Sequence, residues 1–123
     1  MLAGAGAGDT EADVKAIADK LASLRIFRDD SGRMNLSVVD TEGAVLVVSQ
    51  FTLLADVRRG RRPSFTGAAP PELAKNLVDS LIRALRELGL KVAEGRFGAM
   101  MDVRLLNDGP VTIIIDTADG RVV

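Results

Sequence analysis

Ala44-Val45-Leu46-Val47-Val48-Ser49-Gln50-Phe51-Thr52-Leu53-Leu54 is the stretch on which the fold turns. It is apolar almost without a break and rich in valine. That composition suits a strand buried on both faces better than a half-exposed one, and it predicts a central strand over 44–54. Asp40-Thr41-Glu42-Gly43 reads as the turn that leads in, after a short strand over 34–39 and an earlier turn at Asp29-Asp30-Ser31-Gly32.

Outward from this strand, two helices are predicted. Val14, Ile17, Ala18, Leu21 and Leu24 recur at helical spacing, and Thr10 stands three residues before Asp13 as a capping signal, giving a helix over 10–24. Pro70-Pro71 opens a second helix with a Leu73, Leu77, Leu81, Ala84, Leu88 stripe, stopped by Gly89. Strands are expected over 90–93, 101–106 and 111–116. The Gly4–Gly8 alternation of Gly and Ala reads as a flexible end or the remnant of something longer. Helix, strands, helix, strands defines an α+β layered domain, and the 123 residues fit one such unit, 1–123, with no internal repeat.

Composition narrows the chemistry. There is no His and no Cys, so hydroxyls, amides, backbone groups or the substrate itself must carry any reaction. Only carboxylates remain for a metal, which argues against a zinc site, and no cofactor is expected. Apolar residues make up 47% of the chain and aromatics 3%, so the core is aliphatic. No apolar run reaches the roughly 18–20 residues that span a bilayer, and residues 1–8 lack the features of a signal peptide, so no membrane and a cytoplasmic location are expected. The net charge of −1 gives no global attraction for nucleic acid. Locally, Arg58, Arg59, Arg61 and Arg62 crowd around Gly60, either as a solvated loop or as a phosphate-contact loop.

Two motifs stand out: Ser49-Gln50-Phe51-Thr52-Leu53, ending the apolar run, and Asn107-Asp108-Gly109-Pro110-Val111-Thr112. Taken singly, Gln50 and Thr52 read first as buried polar groups satisfied by neighbours, and Asn-Asp-Gly-Pro as a turn. Together with Arg25-Ile26-Phe27, Gly32-Arg33-Met34-Asn35-Leu36, Gly60-Arg61-Arg62-Pro63-Ser64-Phe65 and Gly95-Arg96-Phe97 with Met101, they resemble the D-aminoacyl-tRNA deacylases.

The resemblance implies a layered antiparallel or mixed β-sheet, barrel-like, with two helices packed on it. It also implies further strands upstream of Met1, so the chain reads as shortened at its N-terminus. It implies a homodimer with a cross-subunit active site and an aminoacyl-tRNA substrate whose D-aminoacyl ester is hydrolysed, glycyl-tRNA included. Gln50, Phe51 and Thr52 become the catalytic segment, with backbone N–H groups as oxyanion donors. Ser49, Met101, Gly109 and Pro110 become substrate-binding, Ser49 and Gln50 orienting the adenosine and Phe51 and Met101 walling the pocket. A cis Gly109–Pro110 elbow from the partner would exclude L-residues by shape. The substrate's 2′-OH would serve the attacking water in place of an imidazole. A covalent Thr52 is the rival route, and a non-catalytic nucleic-acid-binding relative or an inactive remnant the rival function.

Overall fold

A computed structural model describes residues 1–123. Helix α1 spans Glu11–Ser23 and helix α2 Pro71–Glu87, and they pack on each other and on a three-stranded sheet. That sheet has β4 (Ala44–Ser49) at its centre, flanked by β1 (Leu2–Ala3) and β5 (Lys91–Glu94). Both pairings are parallel, with Ala3 opposite Ser49 and Val45 opposite Val92. Antiparallel pairs form two ribbons, β2 (Phe27–Arg28) with β3 (Met34–Leu36), and β6 (Thr117–Ala118) with β7 (Arg121–Val122), and isolated antiparallel bridges join Gly6 to Ala68 and Asp56 to Ser64. The α+β layering follows the expectation. The three sheets stay separate, however, and no barrel closes.

Each helix begins and ends for local reasons. The Asp13 carboxylate accepts from the Thr10 N–H and hydroxyl, both at 3.0 Å, satisfying one of the donors that a helix N-terminus leaves open. Proline at the start of α2 gives up no hydrogen bond there, and Gly89, at φ +85°, turns the chain after the last helical residue. The buried face of α2 is Ala74, Leu77, Val78, Leu81, Ile82 and Leu85, with Leu85 wholly enclosed. The expected stripe contained Leu77 and Leu81 but was centred too far toward Leu88, which is exposed.

Four expectations need correction. The central strand ends at Ser49 rather than Leu54, and residues 51–54 form a 3-10 turn. Nor is that strand buried along both faces: Val45 and Val47 enter the core beneath the helices, whereas on the opposite face Ala44 and Leu46 are exposed and only Val48, near the strand end, is buried. Next, residues 101–106 and 111–116 form no strand, and no backbone hydrogen bond is made from 100 to 115. A strand is a property of two partners, and β-prone sequence without a neighbouring edge remains a coil.

Lastly, the Gly-Ala end is no loose tail. Ala5 is buried and its carbonyl accepts the Ala69 N–H, Ala7 N–H donates to the Gly67 carbonyl, and the Gly6 N–H donates to Asp9 at 2.7 Å. The C-terminal β6–β7 hairpin, unforeseen, was signalled by Asp119-Gly120, both at positive φ as a two-residue hairpin turn requires.

Candidate active site and an arginine loop beside it

The site forms where β4 stops. The Gln50 N–H makes the last sheet bond, 2.8 Å to the Ala3 carbonyl, so it is occupied and is not available to a substrate oxyanion, contrary to expectation. The chain then tightens: Leu53 N–H donates to the Gln50 carbonyl and Ala55 N–H to that of Thr52. The Phe51 and Thr52 N–H groups, first in this turn, have no acceptor within the chain. These two are the donors the geometry offers, as expected at the start of any helical turn.

The side chains sort by position. Ser49 and Gln50 are half-buried at the strand end, whereas Phe51 and Thr52 face solvent. Gln50 donates its Nε2 amide to the Thr52 hydroxyl. That amide is no base, and no other side chain bonds the hydroxyl. Met101 lies alongside: its sulfur accepts the Arg96 N–H at 3.4 Å, and a side chain at Gly95 would meet Met101 at 3.4 Å and Val48 at 3.7 Å. Ser49, Gln50, Phe51, Thr52 and Met101 thus gather around the end of β4.

Gly109 and Pro110 do not join them within one chain. Both are exposed, on the unpaired arm described above, with the Gly109–Pro110 peptide cis and Gly109 at φ +149°. A β-carbon at Gly109 would find the atoms of Val111 nearest, at 2.8 Å to its nitrogen.

Two features of the site were not anticipated. Gly4 passes so close to the turn that a β-carbon there would stand 2.6 Å from Leu54 Cδ2 and 2.8 Å from the Gln50 carbonyl oxygen, so glycine is required by space. Phe65 packs edge-on against Phe51, ring centres 5.0 Å apart. Just before Phe65, Asp56 and Ser64 exchange two backbone hydrogen bonds, 2.8 and 2.9 Å, which close loop 57–63 at its base. Inside this loop Arg58 grips Asp56 through Nε and Nη2, at 2.9 and 2.7 Å. Those bonds hold the Asp56 carboxyl below its ordinary range and push the Arg58 guanidinium up.

A parallel three-stranded sheet under two helices, with two open N–H donors in the turn that ends its central strand, defines a layered α+β domain. Comparison with known proteins makes this specific. Residues 1–116 match the model of the D-Tyr-tRNA(Tyr) deacylase family, and the chain belongs to that family. It is 60% identical over 118 residues to the D-aminoacyl-tRNA deacylase of Roseiflexus castenholzii, covering 96% of this chain and 75% of that one. It is 56% identical over 121 residues to that of Heliobacterium modesticaldum, covering 98% and 81%. Among solved structures, one titled c-Myc DNA Unwinding Element Binding Protein superposes with a TM-score of 0.88 at 38% identity, over 95% of this chain and 80% of that one.

Proposed function

We propose that the chain hydrolyses the ester of D-aminoacyl-tRNA, releasing the D-amino acid and free tRNA, and that glycyl-tRNA is also a substrate. The observation that carries this reading is the pair of unbonded N–H groups on Phe51 and Thr52, set beside Ser49, Gln50 and Met101. When water attacks the ester carbonyl, its oxygen becomes an anion. Two fixed N–H donors receive it without reorganisation, each worth on the order of 10²–10³ in rate when well placed.

The proton of the attacking water needs an acceptor. Without histidine, and with the Thr52 hydroxyl engaged only by an amide, the adjacent 2′-OH of the terminal adenosine takes that proton while passing its own to the departing 3′ oxygen, so the ester ends as a carboxylic acid and a free hydroxyl. Ser49 and Gln50 hold that adenosine, and Phe51 and Met101 form the wall. A covalent Thr52 route lacks the base it requires.

Chirality is read by a second copy of the chain. The arm carrying Gly109 and Pro110 has no partner of its own, and Leu105, Leu106 and Ile114 on it are 73%, 95% and 82% exposed. That much apolar surface on an unpaired segment supports a homodimer in which each arm enters the other subunit's site. There the Gly109 and Pro110 carbonyls accept from the substrate amino group and occupy the direction an L side chain would take, so selection works by exclusion. Glycine has no side chain to exclude. Such proofreading belongs where tRNA is charged, in the cytoplasm. No helix is long and apolar enough to cross a membrane.

The test compares hydrolysis of D-tyrosyl-tRNA, L-tyrosyl-tRNA and glycyl-tRNA. Turnover of the first and last with the second spared is expected. Equal turnover of both enantiomers defeats the exclusion mechanism, and salt-dependent tRNA or DNA binding without turnover defeats catalysis.

A further inference from the structure

Resting on the deacylase reading, we propose that loop 57–63 is a phosphate clamp for the RNA strand entering the site, with Arg59, Arg61 and Arg62 as its contacts and Arg58 as its internal brace.

The four arginines of the loop have two different fates. Arg58 is spent within the chain, bonded to Asp56 through its guanidinium at 2.9 and 2.7 Å and through its backbone N–H at 3.0 Å. This fixes the first turn of the loop. Arg59, Arg61 and Arg62 are exposed and form no ion pair or hydrogen bond in the chain, although three of the four ion pairs present show that nearby carboxylates on this protein do capture cations. With Asp56 offsetting Arg58, the loop carries three uncompensated positive charges on a molecule of net charge −1. Nothing in the fold uses them.

The loop is also held in place rather than loose. The paired backbone bonds of Asp56 and Ser64 tie its two ends, and Gly60 at φ +70° makes its tip. Immediately after the tie, Phe65 packs on Phe51, the residue whose N–H is offered to the ester oxyanion. The clamp is therefore anchored to the catalytic turn itself. Four residues from base to tip extend on the order of 10 Å. A single strand carries one phosphate charge per nucleotide, so the loop reaches the nearest phosphates leading away from the terminal adenosine. Guanidinium groups suit this role because they bind phosphate through paired donors and never lose their charge. The ligand is the ribose-phosphate backbone, and the clamp reads no base.

The experiment measures kcat and KM for an Arg59→Gln, Arg61→Gln, Arg62→Gln triple variant on two esters. One is D-tyrosyl-tRNA. The other is D-tyrosyl-adenosine, which has the same ester and no phosphate. A second variant, Lys20→Gln, Arg33→Gln, Arg121→Gln, removes the same net charge from exposed positions elsewhere. The clamp variant is expected to raise KM for the tRNA ester roughly tenfold at low salt with kcat kept. It is expected to flatten the dependence of log KM on log salt by about 2, near 0.7 for each single-strand phosphate that is no longer neutralised. Both variants should match wild type on the adenosine ester.

An unchanged KM on the tRNA ester, or an equal loss from the second variant, overturns the clamp. So does a parallel loss on the adenosine ester, which would place the arginines in the folding of the catalytic turn. If wild type cleaves the adenosine ester but the clamp variant shows no defect, only the clamp fails. If wild type cleaves neither ester, the deacylase reading falls and takes the clamp with it.

Discussion

Asp13 and Gly120, at opposite ends of the chain, are joined by a 2.9 Å hydrogen bond from the Gly120 N–H to the Asp13 Oδ1. The same carboxylate caps α1 through Thr10, so one buried side chain fastens both the first helix and the terminal hairpin. A β-carbon at residue 120 would come within 2.9 Å of Ala12, so the hairpin can seat only with glycine there. The Gly120 and Thr10 backbone bonds hold the Asp13 carboxyl below its ordinary value of 3.8. A group whose folded pKa is depressed adds stability that is complete above the unfolded value and is lost as pH falls through the folded one. Asp13→Asn should lower Tm by several degrees at pH 7 and by less at pH 3, where the wild-type advantage is being lost. Thermal unfolding followed by circular dichroism at the two pH values reads the difference, and an equal loss at both removes the ionic role.

Leu85 is the residue most completely enclosed by the core. Leu85→Ala deletes three buried carbons where the helices and β4 meet, at a cost of about 2–5 kcal/mol. That is a large share of a small domain's total stability. Urea unfolding should show a lowered midpoint with similar slope, and a shift corresponding to under about 1 kcal/mol would mean that the site is not close-packed.

Thr52 tests the route of hydrolysis. If its hydroxyl only orients substrate, Thr52→Ala keeps kcat within about tenfold, since its N–H remains in place. Loss of three or more powers of ten, with no change in melting temperature, would mean that the hydroxyl attacks the ester.

At Gly109, φ is +149° and an added β-carbon would crowd Val111. Gly109 and Pro110 are exposed and make no backbone hydrogen bond in their own chain, so Gly109→Ala should leave thermal stability nearly unchanged while reducing kcat/KM on D-tyrosyl-tRNA by about 10- to 100-fold, the equivalent of a strained residue's 1–3 kcal/mol. Wild-type turnover by this variant would detach the segment from the site.

Leu106 and Ile114 bear on assembly. Leu106→Glu with Ile114→Glu should convert a dimer to monomer in sedimentation velocity and abolish activity, because charges would face the apolar arm of the partner. Persistence of the dimer would place its interface elsewhere.

Much was legible in the sequence because it is local. The helical spacing of α1 and α2, the Thr10–Asp13 cap, Pro71 and Gly89 as start and stop, and β4 as the middle strand all follow from periodicity and backbone preference. The Ser49–Thr52 segment and Met101 are singled out instead by a motif resemblance, and the absence of histidine and cysteine limits the side chains that could take part in a reaction. Sequence could not tell how far the apolar run stayed extended, because the turn at Phe51 depends on Gly4 passing beneath it and on Ala3 taking the Gln50 N–H. Nor could it tell that residues 101–116 would find no edge to pair with, that Gly4–Gly8 would be strapped down against Gly67 and Ala69, or that Arg58 would be spent on Asp56 while three neighbours stayed free. Propensity acts within a few residues along the chain. Pairing, close approach and charge compensation are settled between segments far apart in sequence, and only the folded chain brings those together.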